Sequence, residues 1–314
     1  MNSRTFGMVA VGMLAIGALF TWPSHRPVTS TTVSVERSYI QDVAQRAAET
    51  GVDWRPAAIA LSLRDDAAEL PGIGDCLAWR EFTPEYVRSL LRRRDDIVAW
   101  TNAPGHDPIH VVFIGGIHVY SSDASPELVA SIIRSQEATL RIVDELAPRV
   151  QVVTIEDAGP DIDPVTWDRY LDVGMDQSLR YDGQRYDRAE LAAGMIAQDR
   201  IYAPITMLRN SGLPPIIYGE EPVLYHLHQW LVQRQNAFAS WKRNQAAAAI
   251  LLTNTVAYFR TEMTLVRALE YLRAHGGTTA VITQGLAHAD DYEEFKSDYR
   301  VNFDMRVPVK PNAP

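Results

Sequence analysis

Two histidines share one local pattern: each stands three residues after a glycine that ends a run of mainly β-branched apolar residues. In "FIGGIH" the pair is Gly115 and His118, and in "ITQGLAH" it is Gly285 and His288. A glycine at the end of a strand lets the backbone turn sharply or approach a ligand closely. Neutral imidazole is a frequent metal ligand and a general base near neutral pH. The repeated pattern predicts that both histidines serve one site.

Two glutamates end other apolar runs of the chain. Glu156 closes "VQVVTIE" and Glu220 closes "PPIIYGE", where Glu221 is a competing candidate. Imidazole and carboxylate together suit divalent ions such as Mn²⁺, Co²⁺ or Zn²⁺, and such an ion lowers the pKa of a bound water. The sequence therefore predicts a metal site of His118, Glu156, Glu220 and His288, with Glu156 and His288 also catalytic. The alternative role for each glutamate is a helix cap or a surface charge.

Three further polar residues are candidates for the same site. Arg243, in "SWKRNQAAAAILL", would stabilise an oxyanion or bind a substrate carboxylate, although its spacing alone favours a surface position. His226 and His228 stand two apart in "YHLHQW". That segment is predicted to be helical, and side chains two positions apart diverge on a helix, so structural roles are favoured for both histidines.

Alternating strands and helices supply the scaffold for these residues. Helical spacing marks residues 35–50, 83–94, 125–146 and 261–275, and a long helical stretch is predicted from Pro222 through "WKRNQAAAAILL". The predicted strands are "DIVAW" and "IHVVFIG" as a hairpin, "VQVVTIE", "PPIIY", "TTAVITQ" and the closing "YRVNFDMRVPV". This order predicts an α/β fold with a mixed, largely parallel central sheet flanked by helices and a helical insertion over residues 161–212. Ligands bind beyond the carboxyl ends of the strands in such sheets, where the predicted site residues fall.

The N-terminal end and the composition set the expected location and partners. The 17 uncharged residues Phe6–Trp22 have the character of a signal peptide or a membrane anchor, with an uncleaved anchor favoured and the rest of the chain outside the cytoplasm. The predicted organisation is residues 1–30 as anchor and linker, 31–95 as a helical segment, and 96–314 as the main domain. A net charge of −9 argues against a nucleic-acid partner, and the single Cys76 excludes an intrachain disulfide.

From about residue 96 to 309, the chain resembles the TraB/Tiki family, whose superfamily includes ChaN-like haem-binding proteins and erythromycin esterases. The resemblance is carried by "HVVFIGGIHVYSSD", "VVTIEDAG", "WKRNQAAAA", "GGTTAVITQGLAH" and "FKSDYRVNFDMRVP". It implies an α/β fold with both histidines and a glutamate at one site, and by position His118, Glu156, Arg243 and His288 carry over. The chain departs from the family by Gly-Gly-Ile-His in place of Gly-Thr-x-His and by Gly-Leu-Ala-His in place of Gly-Ala-Gly-His. Residues 34–95 have no counterpart in the family.

Together, these observations give two expectations for function. The first is a metal-dependent hydrolase that cleaves a peptide or a small ester outside the cytoplasm. The second is a non-catalytic haem- or metal-binding protein of the cell envelope. The chain carries no G-x-S-x-G motif and no Gly-Lys-Ser/Thr phosphate loop. The sequence therefore gives no motif for a serine hydrolase or for a nucleotide-binding protein of the P-loop type.

Overall fold

The computed structural model describes residues 30–116, 135, 138–139, 141–156 and 214–308, with side chains from residue 38 onward. The described α-helices with complete bounds are α1 (Ser30–Glu49), α2 (Arg55–Ser62), α3 (Arg64–Ala68), α4 (Leu77–Glu81), α5 (Pro84–Thr101), α6 (Pro222–Gln233), α7 (Gln235–Phe238), α8 (Arg243–His275) and α9 (Ala289–Tyr299). The described strands are β1 (His110–Gly116), β2 (Val152–Ile155), β3 (Ile216–Tyr218), β4 (Thr279–Gly285) and β5 (Asn302–Arg306).

The five strands form one sheet in the order β3-β2-β4-β1-β5. Each of the four described strand pairings is parallel, with Ile155 opposite Thr283 and Val111 opposite Ala280. The predicted α/β class with a largely parallel central sheet is therefore confirmed, whereas the described pairings contain no antiparallel pair of the predicted mixed sheet. Because all the strands run the same way, their carboxyl ends meet at one edge of the sheet.

Both faces of β1, β2 and β4 are covered, which explains why these central strands are largely apolar runs, whereas the edge strands β3 and β5 are partly exposed. On one face, Val112, Ile114, Val153 and Val281 form a cluster with Val143 from the helical stretch 141–146. Phe113 stacks in a tilted arrangement on Tyr292 of α9, with ring centroids 4.6 Å apart. Its neighbours Val112 and Ile114 belong to the opposite face, as the twofold alternation of a strand requires.

The predicted hairpin is wrong, because "DIVAW" is helical. Helix α5 runs through Asp96–Trp100 and ends at Thr101. Its buried positions Val87, Leu90, Ile97 and Thr101 recur with helical spacing, and this period is visible only when the segment is read together with the residues before it. The beginning of α5 is as predicted: the hydroxyl of Thr83 accepts a hydrogen bond from the Tyr86 N–H, and proline follows it.

Helix α8 is a single element of 33 residues, whereas the sequence predicted helical segments before and after Thr261. It ends at His275, directly before Gly276, whose φ of 71° is in the left-handed region. In the part of the chain that the structure describes, α8 included, no helix is long and apolar enough to cross a membrane. The predicted anchor Phe6–Trp22 and the predicted insertion over residues 161–212 lie outside the described residues.

Contacts divide the chain into two compact units. Among the described residues, the first takes in those of 30–75 and 230–257, and the second takes in those between 76 and 229 and between 258 and 308. In the first unit, Asp66 binds Arg46 at 2.6 Å and accepts a hydrogen bond from the Tyr39 hydroxyl at 2.9 Å. The sheet lies in the second unit. The predicted boundary between residues 95 and 96 falls inside α5, whereas the division by contacts falls after Asp75.

Candidate functional site

The carboxyl edge of the sheet brings Glu156, Glu220 and His288 together. Glu156 directly follows β2, and its N–H donates to the Thr283 carbonyl at 3.0 Å, so the ladder to β4 continues one residue past the strand. Glu220 stands two residues after β3. His288 closes the short 3₁₀ turn Leu286–His288 that follows β4. The parallel sheet thus joins three residues that are far apart in the sequence.

Glu156 and His288 form the centre of this group. Nε2 of His288 lies 3.8 Å from Oε1 of Glu156. The other carboxylate oxygen, Oε2, accepts a hydrogen bond of 2.6 Å from the N–H of Gly285. This backbone donor fixes the plane of the carboxylate and leaves Oε1 directed toward the imidazole. Glu156 is 8 % exposed, so the pair is largely withdrawn from water.

The other ring nitrogen of His288 contacts side chains of two helices. Nδ1 lies 2.6 Å from the Thr261 hydroxyl of α8 and 3.8 Å from Oδ2 of Asp291 in α9. Burial alone would lower the pKa of His288, but the carboxylates of Asp291 and Glu156 outweigh it and raise the pKa to about 9. Without a bound cation, the ring is therefore an imidazolium at neutral pH and forms an ion pair with Glu156.

Arg260 of α8 supplies a second positive charge at this edge of the sheet. Its Nη2 donates to Oε1 of Glu220 and lies 3.8 Å from Oε1 of Glu156. Its guanidinium carbon lies 5.2 Å from the ring centre of Tyr225, a cation–π distance. The Arg260 side chain is only 3 % exposed. A buried guanidinium between two buried carboxylates offsets part of the cost of removing all three charges from water.

Glu220 is completely buried and is held by more than its arginine. The Gln284 amide donates to Oε1 of Glu220 at 3.5 Å and to the Thr264 hydroxyl at 3.3 Å, while its own oxygen accepts from the Tyr292 hydroxyl at 2.5 Å. Among the described residues, Oε2 of Glu220 has no hydrogen-bond partner. Burial raises the pKa of Glu220, and the charge of Arg260 opposes this rise.

His228 of α6 contacts the same guanidinium. Its Nδ1 lies 2.5 Å from Nη1 of Arg260. Burial, with a further contribution from the charge of Arg260, lowers the pKa of His228 well below its usual value, so this ring is neutral at physiological pH. The site therefore holds two histidines in different charge states: His288 is an imidazolium and His228 is neutral.

Glu221, the competitor of Glu220, belongs to a separate ion-pair network. Its Oε1 lies 2.6 Å from Nη1 of Arg93 and 3.4 Å from Nε of Arg267. Arg267 also donates to the backbone carbonyl of Glu220 at 2.6 Å. Glu221 thus stabilises the β3–α6 turn, and this arrangement directs Glu220 toward Arg260.

The donor atoms fit part of a metal site. Two ligands held about 2.0–2.2 Å from one ion lie about 3–3.6 Å apart, close to the 3.8 Å between Glu156 and His288. A metal-binding imidazole usually has its second nitrogen hydrogen-bonded, as Nδ1 of His288 is to Thr261. Oε2 of Glu220 is a further candidate oxygen. Over the described stretches, however, no group of three or more His, Cys, Asp or Glu side chains is placed to hold an ion, so a complete site needs another ligand.

The other two predicted site residues are His118 and Arg243. His118 lies outside the described residues, so its role as the further ligand stays a prediction. Arg243 is exposed at the beginning of α8, in the first unit, seventeen positions before Arg260. The arginine that contacts Glu156 and Glu220 is Arg260.

The sequence analysis did not identify several residues of the site, namely Arg260, Thr261, Gln284, Asp291 and the contact made by His228. A signal for Arg260 was present. It occupies the apolar stripe of its helix, between Val256 and Met263, both of which are fully buried. A charged residue at such a position requires a buried partner, and its partner is Glu220.

Comparison with known proteins adds no relative. No protein-family model, no curated protein and no solved structure matches this chain.

Proposed function

We propose that this protein is a metal-dependent hydrolase of the TraB/Tiki type that cleaves a peptide or ester bond. One observation carries the proposal: Glu156 and His288 converge to 3.8 Å at the carboxyl edge of a parallel sheet, where Arg260 links Glu156 to Glu220. In the proposal, Glu156, Glu220 and His288 hold a divalent ion together with His118. When bound, the ion supplies Lewis acidity toward the substrate carbonyl and lowers the pKa of water.

The side chains of the edge have complementary roles in this proposal. Oε1 of Glu156 acts either as a ligand of the ion or as the general base that takes the proton of the attacking water, because Oε2 is already engaged by the Gly285 N–H. Thr261 and Asp291 orient the His288 ring from behind. Arg260 neutralises Glu220 and places a cation beside Glu156, so the site carries less negative charge than two carboxylates alone would give it.

The proposed location follows from the apolar segment Phe6–Trp22, which would anchor or export the chain and place the site outside the cytoplasm. Substrates are then extracellular or envelope peptides and small esters. Ester and amide cleavage share the attack on a carbonyl carbon, so both substrate classes belong in the first assay.

The test is hydrolysis by the full chain after removal of metal with EDTA. Activity toward p-nitrophenyl acetate and a fluorogenic peptide mixture is measured with no metal and with Mn²⁺, Co²⁺ or Zn²⁺. We expect metal to restore activity that EDTA abolishes. Glu156→Gln and His288→Ala are expected to lower kcat/KM by at least about 100-fold, as general-base removal does. Glu293→Gln and His275→Ala, at exposed positions of α9 and α8, are the matched controls.

Three outcomes separate this proposal from its alternatives. Hydrolysis that survives EDTA and both site substitutions would refute it. Tight retention of Mn²⁺ or of added haemin without turnover of either substrate would favour the non-catalytic binding protein instead. Equal loss of activity in the site variants and in their controls would mean that the substitutions act on folding rather than on the site.

A further inference from the structure

We propose that His228 is a catalytic residue that donates a hydrogen bond from Nε2 to the carbonyl oxygen of the substrate. The proposal rests on the hydrolase function proposed above and adds a residue to it. The sequence pattern favoured a structural role for His228, and it is the contact with Arg260 that gives the ring a defined chemical state.

The tautomer of His228 follows from the chemistry of its partner. A guanidinium has five N–H donors, no acceptor, and a charge that it keeps at all physiological pH values. Nδ1 of His228 lies 2.5 Å from Nη1 of Arg260, so Nδ1 must be the acceptor and carries no proton. A neutral imidazole then has its proton on Nε2. The ring is fixed as a hydrogen-bond donor that faces away from the arginine.

The donor is held rigidly and is not used inside the described structure. Arg260 cannot turn away from the ring without leaving Glu220, to which it donates from Nη2, and its face also rests on Tyr225. Within the described stretches, Nε2 of His228 makes no hydrogen bond. The residue is not fully buried, and it lies close enough to His288 and Glu156 for their charges to act on its ring.

A fixed neutral donor suits the oxygen at which charge develops during hydrolysis. The oxygen of water forms a bond to the carbonyl carbon, its proton passes to Glu156, and the C=O electron pair moves onto the carbonyl oxygen. The tetrahedral species then collapses: the C=O bond re-forms, the bond to the alkoxide or amine breaks, and the leaving group takes the proton. A preorganised N–H at the oxygen stabilises this charge, and removal of one such donor costs about 10²- to 10³-fold in kcat.

The tautomer can be measured without any activity. We expect the ¹⁵N spectrum of the full chain, labelled at histidine, to show His228 with an unprotonated Nδ1 and a protonated Nε2 at pH 7. The signal is assigned by its loss in His228→Gln. A protonated Nδ1, or a doubly protonated ring, would overturn the proposal whatever the enzyme does.

Kinetics then test the role in the reaction. His228→Phe is expected to lower kcat on p-nitrophenyl acetate by about 100-fold with KM within about threefold, and His228→Gln, which keeps both an acceptor and a donor, to recover part of the loss. His226→Phe on the same helix is the matched control, and circular dichroism checks the fold of each variant.

Unchanged kcat in a folded His228→Phe protein, with an active wild type, overturns the role of His228 alone. A wild type inactive with every metal overturns the hydrolase proposal and this role with it. If His228→Phe does not fold, His228→Gln and the ¹⁵N spectrum decide.

Discussion

Nε2 of His288 lies 3.8 Å from Oε1 of Glu156, although the two residues follow different strands of the sheet. Each partner is also held on its far side: Glu156 by the N–H of Gly285, and His288 by the Thr261 hydroxyl. The pair is thus fixed at both ends by groups from β4 and α8. Because the pair is held on both sides, the site can be tested by substituting residues that contact neither metal nor substrate.

Thr261→Val removes the hydroxyl behind His288 while it keeps the shape of the side chain. We expect Mn²⁺ binding, measured by calorimetry on the full chain, to weaken by about 10- to 100-fold, as loss of an outer hydrogen bond to a ligating histidine does. Thr253→Val is the matched control, because its hydroxyl is buried in the same helix and donates to the Ala249 carbonyl. Equal Mn²⁺ affinities in the two variants would count against a metal-binding role for His288.

Arg260→Leu leaves the buried Glu220 without its cation. We expect the free energy of unfolding to fall by about 3–5 kcal/mol in urea titrations at pH 7, because an uncompensated charge stays buried. Adding Glu220→Gln should restore part of the loss. Arg92→Leu, at an exposed position of α5, should change the free energy by less than about 0.5 kcal/mol. No recovery in the double variant would argue that packing, and not charge, dominates at Arg260.

Gly219→Ala tests the close packing that directs Glu220. A Cβ at this position would lie 2.6 Å from Cγ2 of Thr264, 2.7 Å from Cγ2 of Thr154 and 3.0 Å from the Ile155 carbonyl oxygen. We expect a loss of about 1–3 kcal/mol in the free energy of unfolding, since neither threonine side chain can move far in the buried core.

The control for this substitution is Gly74→Ala, where a Cβ would meet nothing within 4 Å. Thermal unfolding of both variants by circular dichroism gives the comparison. A midpoint for Gly219→Ala equal to that of Gly74→Ala would show that the chain after β3 shifts freely, which would weaken the argument that Glu220 is rigidly placed.

Glu262 gives the protein a pH dependence of its own. Burial raises the pKa of Glu262 from 4.5 to about 7, although Arg94 at 2.8 Å and the Tyr299 hydroxyl at 2.7 Å oppose the rise. Between these two pH values the folded protein holds a proton that the unfolded chain has released. Stability therefore falls as pH rises from about 4.5 to 7, by roughly 3 kcal/mol, and this contribution changes no further above that range.

Glu262→Gln should remove this contribution. We expect the difference in unfolding free energy between pH 4.5 and pH 7.5, from urea titrations, to shift by roughly 3 kcal/mol relative to the wild type. Glu293→Gln, at an exposed position of α9, should leave the wild-type curve unchanged. A Glu262→Gln curve parallel to that of the wild type would mean that Glu262 is already ionised across this range in the folded protein.

The sequence by itself determined the elements that carry the site. Apolar, mainly β-branched runs placed β1, β2, β3 and β4; in β1, β2 and β4 the pattern arises because a strand buried on both faces has few polar positions. The rule that ligands bind at the carboxyl ends of parallel strands then identified His288, which follows a glycine at the end of β4, and the glutamates after β2 and β3 as candidate site residues. The same local reading failed at "DIVAW", where five apolar-rich residues resemble a strand and only the longer period of α5 identifies a helix.

The tertiary structure decided which residues from the helices complete the site. Arg260 meets Glu220 because Arg260, Thr261 and Thr264 of α8 lie at the carboxyl edge of the sheet. The distinction between Glu220 and Glu221 depends on Arg267 and Arg93, from distant parts of the chain. The protonation states likewise depend on partners that are not neighbours in sequence: Asp291 and Glu156 charge His288, whereas burial and Arg260 keep His228 neutral. Sequence spacing indicates the strand ends, but charge and hydrogen-bond direction depend on distances that only packing sets.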